Sequence, residues 1–144
     1  MKNIVLLAAL MGFTAQAHAT NLTGTWKGTG QAVDNGGKTI NCESVVLTIT
    51  HTATNLKVNS AFTCGGTPIS IPGGTMDIKG SDLLDKGAKA GTISDGTISL
   101  VAKASGYVMK SDARFDEKTM DLKSAISMGS NPAPVMTFDA KLFR

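Results

Sequence analysis

Two cysteines, Cys42 and Cys64, are the most reactive side chains in the sequence. A catalytic redox pair usually takes Cys-x-x-Cys spacing beside a helix N-terminus, which holds a thiolate at neutral pH. Neither condition is met, so the pair reads as a structural disulfide. Of the histidines, His18 falls in a leader-like segment and His51 stands alone in the rest of the chain. One imidazole supports neither a multi-histidine metal site nor a nucleophile–base–acid triad. Serine is plentiful, yet no Gly-x-Ser-x-Gly elbow occurs. Gly28-Thr29-Gly30 and Gly73-Gly74 lack the following helix that a phosphate-cradling loop needs. Asp82 and Asp85 could form a carboxylate pair, but a polar loop would leave both solvated. No catalytic residue, metal or cofactor is expected, and the chain is not read as an enzyme.

The first nineteen residues explain why the cysteines should be oxidised. Lys2 gives a short basic start, residues 4–13 an apolar run, and Ala17-His18-Ala19 small residues at both positions a signal peptidase reads. The run is shorter than the ~20 residues needed to span a bilayer. Residues 1–19 are therefore expected to be a signal peptide, and 20–144 a single exported domain, periplasmic or secreted. That domain carries 13 Lys and Arg against 11 Asp and Glu, scattered singly along the chain. Such spacing tracks neither nucleic acid nor an anionic membrane surface.

The elements that must position these residues are strands. Thr, Ser, Val and Ile recur in alternating runs cut by Gly, Asp and Asn, and no window sustains helical apolar spacing. Leu83-Leu84, within 81–89, is the best helical candidate, at about one turn. Ten strands are expected, at 22–33, 38–51, 54–65, 67–72, 74–80, 88–94, 97–104, 107–115, 118–128 and 134–143. Asp95-Gly96 should close a two-residue hairpin that pairs Ile93 with Ile98. Short connections favour an all-β, antiparallel up-and-down meander that closes as a barrel of about 8–10 strands, over a Greek-key sandwich. Too few aromatics are present for the two girdles of a transmembrane barrel, and later strands show a charged face at Asp112, Arg114, Asp121, Lys123, Asp139 and Lys141. No membrane insertion is expected.

Cys42 and Cys64 should then meet across one hairpin. A three-residue loop at Thr52-Ala53-Thr54 sets them directly opposite. A two-residue loop shifts the register by one, which a bulge at Glu43-Ser44 would absorb. Closing this loop should contribute roughly 3 kcal/mol by chain entropy.

Leu22-Thr23-Gly24-Thr25-Trp26-Lys27-Gly28, which holds the only tryptophan, resembles the opening strand of lipocalins and their calycin relatives. The resemblance implies that Trp26 closes one end of a barrel, with a basic residue from the final strand across its ring. By position that residue is Lys141 or Arg144, Arg being the better stacker. The chain departs from lipocalins in having no helix near its C-terminus. It departs from the related haem-holding, nitrobindin-type barrels in having no late histidine.

The function this supports is binding of a small hydrophobic molecule inside the barrel. Val58, Phe62, Ile98, Leu100, Met109, Met120, Met136 and Phe138 are the expected pocket residues, with methionines lining an adaptable apolar space. The alternative is a solid barrel that binds a protein partner, as small exported protease inhibitors do through an N-terminal arm. Here only Thr20-Asn21 would precede the first strand.

Overall fold

The structure, a computed structural model, describes residues 20–71, 73–104 and 106–144. The expected signal peptide lies outside them. The chain forms β1 (Gly24–Asp34), β2 (Thr39–His51), β3 (Asn55–Cys64), β4 (Thr67–Ile71), β5 (Thr75–Lys79), β6 (Asp82–Asp85), β7 (Ala88–Ser94), β8 (Thr97–Ala104), β9 (Tyr107–Phe115), β10 (Thr119–Met128) and β11 (Pro134–Phe143). All pair antiparallel in one sheet of eleven strands. Because β1 pairs with both β2 and β11, and β2 with β3, the hydrogen bonds run round in a ring.

Two departures from expectation matter. Residues 82–85, where a helical turn was the best local reading, form β6 instead. Pairing with β5 and β7 satisfies its backbone, and Leu83 is fully buried, so tertiary packing overrides a weak local signal. This raises the strand count from ten to eleven. The second departure is at β3, which pairs with β5 along Asn55–Lys57 and with β4 along Ser60–Cys64. β4 and β5 thus run end to end along one flank of β3. Gly73 lies at their junction, where an added Cβ would stand 1.5 Å from the Val58 carbonyl oxygen, so only glycine fits.

Alternation along the strands separates two faces. The inner face collects Trp26, Val45, Leu47, Ile49, Leu56, Leu83, Ile98, Phe115, Met120 and Leu142, all buried. No polar or charged residue is buried among the described residues. The later strands' outer face carries the expected charges in alternating sign across the ladder. Asp121 stands between Arg114 and Lys141, and Lys123 between Asp112 and Asp139. β1 can lie close against β11 because Gly28 has no side chain; a Cβ there would be 1.9 Å from the Lys141 carbonyl oxygen.

Cys42 and Cys64 are bonded, with sulfurs 2.01 Å apart. The two-residue alternative holds: His51 pairs with Leu56 and Ser44 with Thr63, and a bulge between Cys42 and Ser44 brings Cys42 opposite Cys64. At Asp95-Gly96 the expected pairing of Ile93 with Ile98 is present, and Gly96 alone takes the positive φ, at 75°.

Candidate functional site

The two ends of the ring differ, and the base explains why. Leu22 and Trp26 fill the base, with 1% and 0% of their surfaces exposed. The Trp26 indole N–H donates to the Leu22 carbonyl at 3.0 Å, so the only polar atom of the buried ring is satisfied. Arg144 lies over that ring, its guanidinium carbon 4.7 Å from the centroid. The same guanidinium donates to the carbonyls of Asn21 (2.6 Å), Thr23 (3.2 Å) and Glu117 (2.9 and 2.6 Å). It therefore ties the segment before β1 to the β9–β10 turn. Lys141, the other candidate for this position, instead stands exposed on the outer face between Thr29 and Asp121.

The segment before β1 is held from the other side too. Thr23 Oγ1 donates to the His51 carbonyl at 3.0 Å and accepts from its N–H at 2.9 Å. The Leu22 N–H donates to His51 Nδ1 at 3.4 Å, and burial holds that imidazole below its ordinary pKa. Thr20 Oγ1 reaches Asp95 at 3.1 Å. Thr20 and Asn21, which would be the arm in the protein-binding alternative, thus lie strapped across the base.

At the opposite end the inner face is not closed over. Val58, Phe62, Leu100, Leu122, Ile126, Met109, Met136 and Phe138 all point inward, yet each keeps part of its surface accessible. Phe62 and Phe138 meet edge to face across the interior, with centroids 5.3 Å apart. Ser111 and Ser124 face inward on neighbouring strands and share a hydrogen bond of 2.8 Å, leaving a small polar step in an apolar wall. Ile69 and Ile71, opposite Phe62 and Ser60 on the same face, are 47% and 42% exposed.

Part of the wall is low at this end. Among the described residues β4 has β3 as its only partner, and β8 beyond Leu100 pairs with β9 alone. Between these free edges stands only the short β6–β7 hairpin. The result is a cup with a packed base, an apolar interior and a gap in one side.

Of the eight expected pocket residues, six line this cup. Ile98 and Met120, with 9% and 2% exposure, are corrected to its packed floor. Ile69, Ile71, Leu122, Ile126 and the paired serines belong to the cup but were not among the expected pocket residues. A separate concavity of about 1270 Å³ lies on the outer face, flanked by Glu43, Asp112, Arg114, Asp121, Lys123 and Lys141. It is lined by exposed charges of both signs and by the strand segments that carry Ile98, Leu122 and Ala140.

No family model matches the sequence, and no curated protein matches it. Solved structures share the fold, two of them as follows. One is a protein of unknown function from the DUF3598 family of Nostoc punctiforme (TM-score 0.61, 18% identity), matched over 85% of this chain and 47% of that one. The chain thus spans about half the length of that protein. The other is Rv2717c from M. tuberculosis (TM-score 0.53, 10% identity), matched over 85% of this chain and 92% of that one. At such identities the likeness establishes an all-β fold and carries no activity with it.

Proposed function

We propose that the chain is an exported, lipocalin-like barrel that binds one small apolar molecule in its open half, and that it acts as a binder and not a catalyst. One observation carries the reading. Inward apolar side chains are sealed at the Trp26 end but remain accessible at the other, where Phe62, Met109, Met136 and Phe138 surround the opening. A domain built only for stability gains by filling that space. The inner wall offers hydrophobic contact and one hydroxyl pair, which suits a mostly apolar ligand with a single polar group. The Cys42–Cys64 bond supports an oxidising location, in keeping with export. Native mass spectrometry of protein purified from its own compartment tests the reading. A small molecule retained at one per chain is expected; a co-purifying protein with an empty interior would favour the protein-binding alternative.

A further inference from the structure

The fold gathers exposed apolar side chains at one end. Among the described residues the large ones are Ile69, Ile71, Val101, Tyr107, Met128 and Phe143. All but Phe143 stand at the cup's mouth or beside its low wall. Tyr107 and Met128 face each other across β9 and β10, with 47% and 50% of their surfaces exposed. Exposed apolar residues scattered singly need no explanation, but five of six at one end do.

Charge is polarised at the same end. Along the chain the lysines look scattered, yet the meander brings Lys38, Lys86 and Lys103 to the turns and strand ends around the mouth, with Lys110 exposed on the outer wall three residues below the end of β9. The carboxylates there are Asp34 and Asp85. Asp34 already accepts the amide N–H groups of Gly36 and Lys38, and Asp82 lower down is paired with Lys89 at 2.7 Å. The β3–β4 turn and the β10–β11 connection, residues 65–66 and 129–133, carry no charge. The mouth is thus an apolar rim in a net-positive collar.

We propose that this mouth docks on an anionic lipid bilayer surface, with Tyr107, Met128 and the isoleucines of β4 entering the headgroup layer and the lysines facing lipid phosphates. This goes beyond the interior-ligand reading and does not depend on it. A second copy of the chain fits less well, since an isologous contact would bring two positive collars together. An added peptide strand also fits less well, because Pro68 has no N–H to offer along the β4 edge. Each lysine near an anionic surface strengthens binding, and the effect is screened by salt.

Trp26 is buried at the base, so a tryptophan placed elsewhere reports its own surroundings. Tyr107→Trp and Phe143→Trp variants are mixed with vesicles of phosphatidylcholine containing about one-third phosphatidylglycerol. Docking by the mouth shifts Tyr107→Trp emission to the blue and leaves Phe143→Trp unchanged. The triple variant K38Q/K103Q/K110Q weakens co-sedimentation with these vesicles roughly a hundredfold, whereas K27Q/K57Q/K79Q, at the base, does not. The proposal is overturned if neither tryptophan shifts, if both shift alike, if the base triple weakens binding as much, or if the protein dimerises through the mouth without vesicles. Occupancy of the interior is read separately by a fluorescent apolar probe, so either idea can fail alone.

Discussion

Replacing Arg144 by alanine should loosen the base more than any other single exposed substitution. The guanidinium makes four hydrogen bonds to three main-chain carbonyls and covers the face of Trp26. Arg144 is exposed, so water competes for every one of these contacts. A net hydrogen bond is worth about 0.5–1.5 kcal/mol, and the low end applies here because the freed carbonyls can be hydrated. An exposed cation–π contact adds about 0.5–1 kcal/mol. Together they come to roughly 2–3 kcal/mol, after allowing for the shared geometry of the four bonds. At about 4 °C per kcal/mol for a domain of this length, Tm should fall by about 8–12 °C. Arg144→Lys keeps the charge but cannot fork between Glu117 and Asn21, and should lose about half as much. Lys141→Ala should cost under about 0.5 kcal/mol, as a surface change. Thermal melts followed by near-ultraviolet circular dichroism, which reports the Trp26 environment, measure all three. A loss below about 2 °C for Arg144→Ala, or equal losses at Arg144 and Lys141, would refute the reasoning.

Other outcomes follow from the same geometry. Joint replacement of Cys42 and Cys64 by alanine should cost about 3 kcal/mol, read from the denaturation midpoint, because the bond closes a 22-residue separation. Gly28→Ala should cost at least ~2 kcal/mol, since its Cβ meets main chain and no side-chain rotation relieves the clash; urea unfolding measures it. Burial lowers the His51 pKa, so the fold favours the neutral imidazole. That contribution is complete above about pH 6.5 and is lost as pH falls through the lowered folded value. The protection of the Leu22 amide, whose N–H donates to His51 Nδ1, relative to its intrinsic exchange rate should therefore fall on acidification, and less so in His51→Gln. Asp116 accepts the N–H of Lys118 and both the hydroxyl and the N–H of Thr119, which hold its carboxyl below the usual range. Its support for the β9–β10 turn should be present at neutral pH and lost as pH falls through that lowered value, a loss absent from Asp116→Asn melts.

Strand pattern was readable where punctuation was strong. β8 and β9 occupy 97–104 and 107–115, the expected limits, because Asp95-Gly96 and Gly106 interrupt clear alternation. β6 was missed because four residues are too few to show a period, and its stability comes from β5 and β7 on either side. The disulfide was readable because opposed cysteines constrain a hairpin register to two choices. Six of the expected pocket residues point inward and stay partly accessible, an orientation that parity alone gives. Parity cannot say how deep a side chain sits, which is why Ile98 and Met120 were placed in the wall and belong to the floor. Ile69 and Ile71 looked like ordinary strand residues; their exposure goes with β4 lacking a second neighbour among the described residues, a property of pairing across the ring. The positive mouth was invisible in sequence order for the same reason.

The central claim is that the open half is a ligand space, and one titration tests it most directly. Ser111 and Ser124 bond to each other inside the cup, so replacing both by leucine removes a hydroxyl pair without orphaning either partner, and fills the space. An uncharged apolar fluorophore should bind the natural chain at one saturable site and fail to bind S111L/S124L, whose Tm should be no lower. Absence of saturable binding to the natural chain, or equal binding to both, would contradict the account.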